Sequence, residues 1–181
     1  MRQARKNFEN AFLAESLHSL SKHHLPRIER CLRLLPEKQI WWRPNASSNS
    51  VGNLVLHLNG NVRQWIISGL GGAPDRRERD QEFSERGPLP RRALVKRLRE
   101  TVGEACRVIR RLTPQDLARQ HSIQKYHVTG FVALNHATEH FAHHSGQILY
   151  ITKLLVARDL GFTRLPGERK KKSARKRLPA I

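Results

Sequence analysis

The sequence predicts an all-α fold, a four-helix bundle, and three observations carry the prediction. Four long segments place apolar residues at three- and four-residue spacings, the pattern of helices that bury one face. No segment alternates apolar and polar residues convincingly for a strand. The 181-residue length suits one domain able to bury a core of its own, and four such helices bury their faces most simply against one another.

The first segment runs from about Phe8 to Leu35, with Leu13, Leu17, Leu20, Ile28, Leu32 and Leu35 among its apolar positions. Pro26 should kink or split it, because the ring removes an amide donor and crowds the preceding turn. Between Pro36 and Asn49 the paired Trp41 and Trp42 precede Pro44. The second helix should begin after the capping candidates Ser48, Asn49 and Ser50, follow Val51, Leu54, Val55, Leu58, Val62, Trp65 and Ile66, and stop at Gly69 or Gly71. The third follows Pro90 and uses Leu94, Leu98, Val102, Ala105, Ile109 and Leu112, and Thr113 to Leu117 reads as one short helical turn. The fourth runs from about Thr129 to Leu155. Gly71 to Leu89 is a long linker holding Asp75, Glu78, Asp80, Glu82 and Glu85 against four arginines. A linker of that length can cross the bundle, so the second and third helices need not be antiparallel neighbours. After about Leu160 the apolar pattern stops, which predicts a bundle domain over 1–160 and a disordered basic tail over 161–181.

Lys and Arg outnumber Asp and Glu 34 to 15, a net charge of +19 that pulls towards nucleic acid or an anionic surface. The excess is concentrated: Arg158 to Ile181 holds nine basic residues against two acidic, and Arg91 to Leu112 eight against two. Residues 164–181 are therefore expected to give non-specific, salt-sensitive adhesion to polyanions. No aromatic residue follows Phe162 for base stacking, and no DNA-binding motif is present, which argues against sequence-specific nucleic-acid recognition. No apolar run is long enough to cross a membrane, and charged residues and histidines break the first thirty residues, so a cytoplasmic location is expected. Cys31 and Cys106 lack the spacing of a redox or metal motif and read as small buried hydrophobes. Phosphate-loop and dinucleotide fingerprints are absent.

The most informative local feature is histidine. Five of the ten histidines fall between His127 and His144. On a helical wheel His136, His140, His143, His144 and Gln147 share an arc of about 100°. His140 and His144 stand one turn apart, the relation that lets two imidazoles of one helix bind one metal ion. On the second helix, Asn53, His57 and Asn61 repeat that spacing at the edge of the apolar stripe. Two histidines from the fourth helix and one from the second would make a three-ligand metal site with an open position, as in catalytic zinc or nickel centres. His121, His127, His136 and His143 read as surface or supporting groups. The string His136-Ala-Thr-Glu139-His140 also matches the HxxEH of inverzincin peptidases, but only Asp159 and Glu168 remain downstream as an acidic ligand. A ferritin-like di-iron site is excluded, because it needs Glu-x-x-His on two helices and only Glu15-Ser16-Leu17-His18 has that spacing.

Three runs carry a family resemblance: Leu25-Pro26-Arg27-Ile28-Glu29-Arg30-Cys31-Leu32; Trp41-Trp42-Arg43-Pro44-Asn45 continuing to Ser48-Asn49-Ser50-Val51-Gly52-Asn53-Leu54-Val55-Leu56-His57-Leu58-Asn59-Gly60-Asn61; and Glu139-His140-Phe141-Ala142-His143-His144-Ser145-Gly146-Gln147-Ile148. In order and separation they resemble the DinB-like superfamily, over about Phe8 to Gly161. The resemblance implies a four-helix bundle with up-down-down-up topology and a divalent metal such as zinc or nickel bound by His57, His140 and His144. Asn61, Glu139 and Gln147 are candidates for orienting those ligands. It also implies a small-molecule substrate, a homodimer, and an enzyme using a low-molecular-weight thiol, as in S-transferases of the superfamily. The alternatives are a non-catalytic helical binding module and a basic nucleic-acid-associated protein.

Overall fold

A computed structural model describes residues 2–87 and 89–162. The first arm of the bundle joins helix α1 (Arg2–His18), a π-helical stretch (Ser19–His24) and α2 (Leu25–Leu34). The wide turns lie immediately before Pro26, which occupies the first turn of α2. Proline has no amide to offer the preceding turn and its ring needs room there, so the widened stretch lets the arm continue where a regular helix would break. After the short α3 (Glu37–Ile40), helix α4 (Val51–Val62) starts at Ser50, whose side chain accepts from the Asn53 amide while the Asn53 side chain accepts from the Ser50 amide. A second π-helical stretch (Arg63–Ser68) extends α4. The linker then carries α5 (Arg79–Ser84), followed by α6 (Arg91–Ile109), α7 (Pro114–Ala118) capped by Thr113, strands β1 (Gln120–Ile123) and β2 (Tyr126–Thr129), and α8 (Gly130–Val156) capped by Thr129.

Contacts between named residues fix the topology as up-down-down-up. Glu29 near the end of the first arm pairs with Arg99 of α6, and Glu37 accepts from the Arg91 amide at 2.9 Å, so α6 runs against the first arm. Gly71 at the end of the second arm faces Val108 near the end of α6, so those two run together. Phe12 meets Phe131 and His24 meets Phe141, so α8 runs parallel to the first arm. The linker must therefore travel back along the bundle from Gly71 to Arg91, and it does so as a strap laid over α4. Leucines, isoleucines and valines of all four arms, with Phe141, fill the core.

The hairpin corrects the expectation that no segment forms a strand. Its two four-residue strands pair antiparallel from Gln120↔Thr129 to Ile123↔Tyr126, and only His121 and Ile123 of β1 are buried, too short an alternation to stand out. The hairpin closes one end of the bundle: the ring of His121 bridges the carbonyls of Gly69 and Asp116 at 3.0 and 3.2 Å. The expected tail lies outside the described residues except for Gly161 and Phe162, and Phe162 lies under the guanidinium groups of Arg27 and Arg30. Among the described residues, no helix is long and apolar enough to cross a membrane.

Candidate metal centre

Helix α4 lies between α6, α8 and the strap, and every residue from Val51 to Asn59 is buried. Its one imidazole, His57, is 4% exposed and turns towards α8. There His140 and His144, one turn apart, present their rings to it: His57 Nε2 lies 2.8 Å from His140 Nε2, and the His57 and His144 rings meet edge to face with centroids 4.8 Å apart. The three histidines offer ligand atoms that all lie within 4.8 Å of one another.

The protonation pattern is set by the groups behind the rings. Glu82 of the strap reaches His57 Nδ1 with Oε2 at 2.8 Å, and a carboxylate can only accept, so Nδ1 donates to it and Nε2 keeps its lone pair; Arg77 Nη2, 3.1 Å from the same Nδ1, gives its hydrogen to Glu82 Oε2 instead. Arg77 holds both oxygens of that carboxylate, at 2.8 Å from Nε and 2.9 Å from Nη2. On α8, His144 Nδ1 lies 2.7 Å from Gln147 Oε1 and donates to it, which again leaves Nε2 free. These are the arrangements that orient imidazole ligands in metal sites. The donor set fits a divalent cation: three imidazoles converge, and two are held by their Nδ1 protons. A small rotation would open the 2.8 Å pair to the spacing that nitrogens about 2.0–2.1 Å from one ion require.

Electrostatics favour the neutral forms of His140 and His144. Burial, then the neighbouring imidazoles of His144 and His57, push His140 down to about 3. Burial also lowers His144, against the hydrogen bond to Gln147, which raises it. Burial favours the protonated form of Glu82, but hydrogen bonds from Arg77 and His57 outweigh it and hold the carboxyl below its usual range. Phe83 covers the His57 ring at a centroid distance of 4.7 Å, and Trp65 packs on His136 at 4.0 Å, giving the site apolar walls.

The strap is positioned by α4 itself. Asn53 Nδ2 donates to the carbonyls of Glu82 and Glu85, both at 2.9 Å, and Asn53 Oδ1 accepts from Arg43 at 2.8 Å. Gly60 leaves the opening through which Glu82 enters, since a Cβ there would lie 1.7 Å from Glu82 Oε1.

Of the supporting residues expected from sequence, the structure brings Gln147 to the cluster and leaves two outside it. Glu139 is exposed and makes no hydrogen bond to a histidine among the described residues. Asn61 is buried, but its Oδ1 has no hydrogen-bond partner and it holds none of the three rings. Their spacing put them on the right helices, but neither bonds a ring of the cluster among the described residues. The residues missed were Glu82 and Arg77, which come from the linker. The signal available for them was five acidic residues in a segment long enough to cross the bundle, with a glycine one turn beyond the candidate histidine. His121, expected at the surface or in support of the site, is a buried structural group. His127 is exposed and bonds Ser122, and His143 is exposed beside Gln147.

Comparison with known proteins agrees with the fold. A family model described as "Protein of unknown function (DUF1572)" matches residues 7–168. A crystal structure of a conserved protein from Enterococcus faecalis is similar with a TM-score of 0.67 and 19% identity, over 80% of this chain and 96% of that one. A DinB-like protein from Bacillus cereus is similar at 0.58 and 15% identity, over 74% of this chain and 86% of that one. A DinB-like protein from Bacillus subtilis is similar at 0.58 and 19% identity, over 89% of this chain and 99% of that one. No curated protein matches the sequence significantly.

Proposed function

We propose that this chain, which belongs to the DUF1572 family and has a DinB-like fold, is a metal-dependent enzyme that holds one divalent cation on His57, His140 and His144. The observation that carries the reading is the convergence of three imidazoles from two helices, with Glu82 and Gln147 fixing the Nδ1 protons of two of them. Three neutral ligands leave positions open, which is the difference between a catalytic and a closed structural site. The chemistry such an ion supplies is Lewis acidity, lowering the pKa of a water or a thiol that reaches it. Glu82 and Arg77 hold His57 in register. Phe83 and Trp65 exclude water from the walls. The protein's own cysteines are not the nucleophile: Cys31 and Cys106 are buried, and burial raises both thiols. An external low-molecular-weight thiol is the proposed co-substrate: its sulfur would bond to an electrophilic carbon as the thiol proton passes to solvent and the acceptor's leaving group departs.

Elemental analysis of purified protein tests the first half of this reading. About one equivalent of a transition metal per chain is expected, falling below roughly a tenth in His57→Ala and in His144→Ala. Trace metal unchanged by both substitutions would remove the proposal. If the metal is present, a panel of thiols with electrophilic acceptors follows, and inactivity across it would reject S-transfer while leaving the site.

A further inference from the structure

The support of His57 does not end at Arg77. Glu82 takes two of the three guanidinium nitrogens, Nε and Nη2, and the third, Nη1, donates to Gln64 Oε1 at 2.8 Å. All three nitrogens of a side chain that is 4% exposed are thus engaged, which fixes the plane of the group as well as its place. Gln64 is itself held at both ends of its amide. Its Nε2 donates to Asp75 Oδ2 at 2.7 Å, and its Oε1 accepts a second bond, from Gln124 Nε2.

Two backbone features bring these side chains together. Gln64 is buried in the π-helical stretch Arg63–Ser68, where its carbonyl accepts from the Gly69 amide, five residues on, at 2.9 Å. Such wide turns recur at functional sites. Gln124 opens the two-residue turn between β1 and β2 with φ at +56°, a left-handed conformation that glycine or asparagine adopts more readily than glutamine. Strand β2 runs directly into α8, the helix of His140 and His144. One chain of hydrogen bonds therefore begins at the hairpin that leads α8 and ends on the ligand that α4 supplies: Gln124, Gln64, Arg77, Glu82, His57.

We propose that Gln64 and Gln124 are positioning residues for the metal centre, which act through Arg77 and Glu82 to fix the tautomer and direction of His57 and to register it with the α8 ligands. The role rests on the metal reading of the three histidines, yet the tautomer it sets can be read without an ion.

Proton–nitrogen correlation spectra of the histidine rings, recorded on the metal-free full chain at mildly alkaline pH, test the role. The parent should show His57 as a single tautomer with its proton on Nδ1. Gln64→Met keeps the length of the side chain but removes its polar bonds, and should give a mixture of the two tautomers. Gln124→Gly should do the same, and its backbone suits the turn, so a failure to fold does not account for the change. Ser122→Ala, which breaks the hairpin's bond to His127, should leave His57 as it is. Zinc affinity measured against a competing chelator should fall about tenfold in both glutamine variants. A tautomer unmoved in both, a tautomer moved equally by Ser122→Ala, or zinc affinity unchanged in both would each overturn the proposal. A parent that binds no zinc would instead overturn the metal reading, with the spectra still deciding whether the two glutamines hold His57.

Discussion

Helices α4 and α6 are neighbours that run in the same direction, yet they treat polar residues in opposite ways. On α6 the arginines and lysines face water while Leu94, Leu98, Val102, Ala105 and Ile109 face the core. On α4 only Gly60 escapes burial, and Asn53, His57, Asn59 and Asn61 are enclosed with the leucines. Solvated charge costs little, so α6 can carry many basic residues without any of them doing chemistry. Enclosed polar groups are expensive unless partnered. The sparse polar residues of α4 are therefore more informative than the abundant ones of α6.

Mutation separates the enclosed polar groups of α4 from the solvated ones of α6. Glu82→Gln should have the largest effect: the amide cannot serve both Arg77 and His57 as an acceptor, and metal affinity measured against a competing chelator should fall about 10–100-fold. Unchanged affinity would show that the carboxylate serves only to hold the strap. A pair of glycine substitutions compares the helices directly. Gly60→Ala drives a methyl into Glu82 and should destabilise by about 1–3 kcal/mol. Gly103→Ala on α6 meets nothing nearer than 3.9 Å and should stabilise by about 0.5–1 kcal/mol in denaturant unfolding. Equal effects at both would erase the distinction.

A smaller effect is expected from pH. Burial, then His23 and Arg27, push the half-buried His24 from 6.5 to about 4. The unfolded chain thus takes up a proton at His24 before the folded one does, so stability is intact above about pH 6.5 and declines as pH falls towards 4. Melting curves should show His24→Leu flattening that decline by a few degrees. Arg92→Ala, on the solvated face of α6, should lie within about 0.5 kcal/mol of the parent. A larger loss there would mean that the basic face is structural after all.

Much of this was legible in the sequence, and the parts that were not share a cause. Periodicity, Ser50 and Pro90 placed the helices, because caps and apolar stripes are local. His57, His140 and His144 emerged because i, i+4 spacing and a family resemblance both survive without knowledge of the path between helices. Glu82 did not, since five acidic residues share the linker and only its course over α4, through the gap at Gly60, selects one. The hairpin escaped for a similar reason: each strand is four residues long, and its meaning comes from Gly69 and Asp116, which His121 reaches across the fold.

The His57 to His140 contact joins residues 83 positions apart in the chain. The two rings can meet only when α8 has docked on α4, which closes a long loop of chain between them. A cation held there would report not on one helix but on the docking of the last arm, and a chain truncated before α8 would have no centre at all.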